Sequence, residues 1–110
     1  MAQTELGSGR KLVAGNFFST RQVALAADTY YVGMLLESAA GVYSALAAGT
    51  IAGVYNGTDG RVLAAQGEDN IVVAGEIAHS GIVDATGAAL TISDTNIALY
   101  AQSGIYIKEV

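Results

Sequence analysis

Cysteine is absent from the chain, which removes a disulfide framework, a thiolate metal site and a cysteine nucleophile from consideration. Proline and tryptophan are absent too, and phenylalanine occurs only at Phe17 and Phe18. A core must therefore come from Val, Ile, Leu and six Tyr, with Ala and Gly supplying much of the remaining apolar count. So thin a core invites support from oligomerisation.

Long hydrophobic runs are missing as well. The apolar stretches are interrupted by Gly, Asp and Ser and fall short of the roughly 20 residues that cross a bilayer. The start lacks a basic-then-apolar signal pattern. The expectation is a soluble protein with no membrane partner, made and used inside the cell.

Charge is scarce, at 14% of residues against 52% hydrophobic, which is far from the composition that keeps chains disordered. The net charge of −5 argues against nucleic acid, because phosphate binding needs clustered Lys and Arg. The distribution is uneven. Residues 1–21 hold Arg10, Lys11 and Arg21 against Glu5, a net +2, whereas residues 22–110 hold Arg61 and Lys108 against nine acids, a net −7.

At 110 residues the chain has room for one domain. Residues 1–21 contain Gly7, Ser8, Gly9 and Gly15 and follow neither a helical nor a strand period. They read as an extended, irregular N-terminal arm before a compact β-rich domain over residues 22–110. Phe17 and Phe18, at the end of the arm, are candidates for docking.

Strands are expected over Tyr30 to Leu36, Val42 to Leu46 and Thr50 to Tyr55, with a turn at Ala39 to Gly41. Asn56-Gly57-Thr58-Asp59-Gly60 holds both Asn-Gly and Asp-Gly, which suit tight hairpin turns. Arg61 to Ala65 would then continue the hairpin, Gln66 to Asn70 would turn again, and Ile71 to Ala74 would form a buried strand. Turns recurring at intervals of about 8–12 residues are the rhythm of a small sandwich or barrel.

The last third differs. Ser93 or Asp94 can cap a short helix to about Ser103, with Ile97, Tyr100 and Ala101 at helical spacing and Gly104 ending it. Ile105 and Ile107 alternate with Tyr106 and Lys108 in a final strand. The fold class is thus mainly β, a small sandwich or barrel-like domain with one short C-terminal helix and an extended N-terminal arm.

Chemistry is hard to place on these residues. His79 in Ala78-His79-Ser80 is the only histidine, and adjacent strand side chains point to opposite faces, so it reads as a surface or packing residue. One His and scattered acids give no metal-ligand spacing. Gly53-Val54-Tyr55-Asn56-Gly57 lacks the third glycine and following helix of a nucleotide loop. Tyr30, Tyr31, Tyr43, Tyr55, Tyr100 and Tyr106 could stack bases or sugars, but no basic residues are interleaved, and Tyr is equally a half-buried strand residue. The expectation is a chain that is not an enzyme and needs no cofactor or metal.

The run Gly49-Thr50-Ile51-Ala52-Gly53-Val54-Tyr55-Asn56-Gly57-Thr58-Asp59-Gly60-Arg61-Val62, with Ile71-Val72-Val73-Ala74-Gly75-Glu76-Ile77, resembles the head decoration, or capsid cement, proteins of tailed bacteriophages. The lambda head decoration protein typifies that group. The closing Ala101-Gln102-Ser103-Gly104-Ile105-Tyr106-Ile107-Lys108 resembles its helix-then-strand ending, so the likeness covers about residues 30–110.

The resemblance implies a structural protein that binds the major capsid protein on the outer surface of the virion. It would form homotrimers there, stabilise the expanded shell, and reside in the host cytoplasm during assembly. An N-terminal segment would reach the shell, which points to Arg10, Lys11, Phe17, Phe18 and Arg21 as capsid-binding residues and leaves Asn56, Gly57, Asp59 and Gly60 to form the turn. This chain departs from the lambda type in lacking proline, and its arm matches nothing in that group. Other readings are a different phage part, such as a fibre, spike or head-completion protein, or a small ligand-binding β module.

Overall fold

The computed structural model describes residues 13–47 and 49–109, with side chains from Phe18 onward. Eight strands run β1 (Val13–Leu25), β2 (Asp28–Tyr30), β3 (Leu35–Ala39), β4 (Val42–Ala45), β5 (Gly53–Tyr55), β6 (Arg61–Leu63), β7 (Gly67–Ala78) and β8 (Ile105–Lys108). The helix α1 spans Asp94–Ala101. The fold is mainly β, as the composition and turn rhythm imply.

Pairing closes the main sheet. β1 pairs with β4, β4 with β3, β3 with β5, β5 with β7, and β7 returns to β1. Such a ring leaves fewer free edges than an open sheet. β7 organises it: one edge carries β1, while the other carries β5 at Ile71 and Val72 and then β8 from Gly75 to Ala78. β2 and β6 form a separate two-stranded ribbon.

The interior is mainly aliphatic, with Tyr30, Tyr55 and Tyr100 buried in it. Leu25, Leu36, Val54, Ile71, Val72, Ile77, Ile82 and Ile105 are fully buried, together with Tyr30 and Tyr55. The two rings stand 5.5 Å apart at 33°, and both hydroxyls reach acceptors, Tyr30 donating to the Ala26 carbonyl at 2.8 Å. That arrangement lets the chain fill its core without Trp, since a phenol can be buried when its O–H is satisfied.

Four expectations need correction. The stretch Tyr30 to Leu36 is not one strand: the chain breaks at Gly33, where φ is 96°, and a left-handed residue cannot continue an extended strand. The turn at Asn56 to Gly60 does not make a hairpin, because β5 pairs with β3 and β7 while β6 pairs with β2. Gly67 to Asn70 belongs to β7, paired with Gln22 to Leu25. The expected irregular arm is also wrong over residues 13–21. They lie in β1, which crosses the boundary drawn after Arg21 and pairs Phe18 to Leu25 with Gly75 to Gly67.

The β3–β4 connection does follow expectation. Ala39 faces Val42, leaving Ala40 and Gly41 as a two-residue loop with φ of 53° and 83°. Two positive φ values are the mark of a type I′ turn, which favours Asn-Gly. Ala40 sits there against its preference, at a cost of about 1–2 kcal/mol. Ala40→Asn is therefore expected to raise stability by roughly 0.5–1 kcal/mol, and Ala40→Val to lower it, as read by urea unfolding.

The C-terminal helix and strand form as expected. The Ser93 hydroxyl accepts from the Asn96 amide at 3.3 Å to cap α1, and β8 buries Ile105 and Ile107 while exposing Tyr106.

Candidate functional site

Several polar side chains meet around the Asn56 to Gly60 segment. Buried Tyr55 ends β5 beneath it. Its hydroxyl lies 2.8 Å from Asp69 Oδ2 and 2.9 Å from the Thr58 carbonyl, and its single proton serves one acceptor at a time. Arg61 donates to Asp69 Oδ2 at 2.6 Å and to the Glu68 carbonyl at 3.0 Å. Asp69 Oδ1 accepts from the Asn70 amide at 2.7 Å. Asp59 accepts from the Val32 amide at 3.0 Å, tying the turn to the segment after β2.

The glycines are used differently. Gly60 adopts φ 76°, as expected of Asp-Gly. Gly57 has no such φ; it is needed because a Cβ there would strike the Asp69 carboxylate.

Burial raises the Tyr55 phenol, helped by the hydrogen bond and the charge of Asp69. Burial also opposes ionisation of Asp69, but the Asn70 amide, Arg61 guanidinium and Tyr55 hydroxyl outweigh it and hold its carboxyl below the usual range. A phenol that holds its proton more tightly than usual beside an already paired carboxylate makes a poor base or nucleophile. The group fastens the turn to β7.

The unfolded chain therefore takes up a proton at Asp69 before the folded chain does. Its contribution is complete above the ordinary carboxylate value of about 3.9 and is lost as pH falls through the lowered folded value. Asp84 is shifted the same way, first by the Thr86 hydroxyl, so a variant must separate the two. Asp69→Asn is expected to melt lower than the parent at neutral pH and to show a flatter loss of stability between about pH 5 and pH 2, measured by thermal scans across that range.

The expected capsid-binding residues separate. Arg10 and Lys11 lie outside the described residues. The backbone of Phe17 is in β1, whereas Phe18 is half-buried and packs against the core, so its side chain is committed to this domain. Arg21 is exposed on β1, within the exposed run Ser19 to Gln22.

The six tyrosines form no common platform. Tyr30, Tyr55 and Tyr100 are buried, Tyr31 and Tyr43 are partly covered, and Tyr106 is exposed. Among the described residues the large exposed apolar side chains are Val62 on β6, Leu99 on α1 and Tyr106 on β8. A hollow of about 220 Å³ lined in part by Leu99 adjoins one of about 260 Å³, the two sharing Leu46, Ala47 and Tyr100. Among the described residues no helix is long and apolar enough to cross a membrane, and no group of three potential metal ligands is found.

Sequence reasoning missed the Tyr55–Asp69–Arg61 group. Its members lie on three strands, and the only cue is their shared proximity to the glycine-rich turn. No known protein family and no curated protein matches the chain.

Proposed function

We propose that this chain is a non-enzymatic head decoration protein of a tailed bacteriophage, binding the major capsid protein on the outside of the expanded shell as trimers and stabilising it. The observation that carries the reading is where the resembling segments lie. Gly49 to Val62 contributes β5, its turn and the start of β6; Ile71 to Ile77 lies in β7, the strand that organises the ring; Ala101 to Lys108 spans the end of α1 and β8. The runs that carry the likeness are thus joined parts of one small framework.

Two further features support it. The Tyr55, Arg61 and Asp69 side chains beside the turn are engaged with one another, as a scaffold requires. The exposed apolar residues Val62, Leu99 and Tyr106 lie on three different elements, which suits a body making several contacts whose summed avidity resists internal pressure.

Co-sedimentation with empty expanded heads of the parent phage tests the reading. Saturable, stoichiometric binding to expanded heads is expected. No binding at any concentration would sink it.

The paired hollows that share Leu46 and Tyr100 favour one other reading, a small ligand-binding β module. Ligand-dependent shifts in the resonances of Leu46 and Tyr100, in a protein that ignores capsids, would establish that alternative.

A further inference from the structure

His79 opens a single 3-10 turn, His79–Gly81, at the end of β7, and its side chain is 13% exposed. Its two ring nitrogens hold different parts of the chain. Nδ1 lies 2.7 Å from Glu109 Oε1, just beyond β8. Nε2 accepts the backbone N–H of Ile92 at 2.9 Å, immediately before Ser93, the cap of α1. One ring thus joins residues separated by 13 and 30 positions.

The Ile92 amide can only donate, so Nε2 must present a lone pair, and the ring proton sits on Nδ1 facing the carboxylate. The neutral Nδ1–H tautomer satisfies both contacts. The imidazolium, with protons on both nitrogens, keeps the Glu109 contact and sets two N–H groups against each other at Ile92.

We propose that His79 is an acid-operated latch: a proton taken from water at Nε2 breaks the hydrogen bond to Ile92 and frees the segment leading into α1, while the ring stays with Glu109. An open hollow of about 380 Å³, lined by His79, Ser80, Ile82, Leu90, Thr91 and Glu109 among others, gives water a route to the ring. Glu109 is the charged group in contact. On the other elements meeting here, Lys108 faces Glu76 at 3.4 Å, Asp84 accepts from Thr86 and Ala88 within its own loop, and Asp94 begins α1. Val110 and its carboxyl end lie outside the described residues. The loop from Ile82 to Ile92 is otherwise pinned by backbone bonds such as Leu90 to Ile82 at 3.1 Å and Val83 to Gly33 at 3.2 Å, so release is local and the ring of strands persists.

Amide hydrogen exchange of the full chain at about pH 8 and about pH 5 tests this. Rates are corrected for intrinsic exchange, with Val72 as reference, and the His79 ring nitrogens are followed by long-range nitrogen correlation. The expected result is a fall on the order of tenfold in Ile92 protection, coincident with proton uptake at Nε2, while Val72 is unchanged. His79→Gln supplies a non-titrating carbonyl acceptor and is expected to make Ile92 protection independent of pH. The latch is overturned if Nε2 gains its proton without any change at Ile92, or if H79Q loses protection as the parent does. The nitrogen measurement needs no variant, so the outcome stands even if H79Q folds poorly.

Discussion

Gly33→Ala is expected to destabilise the fold by about 2–5 kcal/mol. Gly33 adopts φ 96°, and a Cβ there would run into the Gly81 carbonyl oxygen, a backbone atom. It cannot move aside, because Gly33 also donates to the Tyr55 carbonyl at 3.0 Å and accepts from the Val83 amide at 3.2 Å. Left-handed strain of about 1–2 kcal/mol adds to an overpacking cost of about 1–3 kcal/mol. Together they remove a large share of the roughly 5–15 kcal/mol that holds a domain of this kind. Gly41→Ala is the control: its φ is 83°, but nothing lies within 4 Å of a Cβ there, so only the strain remains. Urea unfolding of both variants is expected to show a modest shift for Gly41→Ala and a much larger shift for Gly33→Ala. Equal effects would mean that backbone conformation alone decides and that the contact with Gly81 is immaterial.

The second large effect is expected from N-terminal deletion, and it depends on where the cut falls. Removing residues 1–12 leaves the whole of β1. Such a protein is expected to melt near the parent temperature, because Phe18 to Leu25 still close the ring against β7. It also loses Arg10 and Lys11, two of the five basic residues, and under the proposed function it is expected to bind capsids markedly more weakly. Removing residues 1–21 strips the partners of Ile71, Val72, Ala74 and Gly75 and takes Phe18 from the edge of the core. That protein is expected to lose its cooperative transition. Calorimetry and capsid co-sedimentation of the two deletions separate a folding role from a binding role. Undiminished capsid binding by the shorter deletion would assign the binding surface to the body.

What could be read from the sequence was what is local. Ser93, Ile97 and Tyr100 place the helix within one short window, and the alternation of Ile105 and Ile107 with Tyr106 and Lys108 gives β8 its buried face. Pairing partners were not local. The Asn-Gly and Asp-Gly steps state that the chain turns, yet not that β6 leaves its neighbour for β2, which pairs Tyr30 with Arg61. β1 escaped notice for a different reason. Between Val13 and Phe18, and again between Ser19 and Thr20, its register with β7 shifts, and each irregularity resets the alternation by which a half-buried strand is recognised. Ser19 to Gln22 are exposed, so hydrogen bonding to β7 rather than a regular buried face holds that part of the strand.

The candidate site was half legible. The hydrogen-bonded turn runs from Thr58 to Arg61 with Asp59 and Gly60 at its centre, Asn56 still donates to the Asn70 carbonyl, and a Cβ at Gly57 would meet Asp69, twelve positions along the chain and on another strand. The sequence reads His79 as a surface or packing residue, and its ring is mostly covered; that it bridges Ile92 and Glu109 follows from the parallel pairing of β7 with β8, which no local pattern encodes.

The central claim is that this domain stabilises an expanded shell from outside, and calorimetry of empty expanded heads tests it most directly. With saturating protein the shell's disruption is expected to move to higher temperature, in proportion to occupancy and reaching a plateau. Heads that disrupt at the same temperature with and without saturating protein would contradict it.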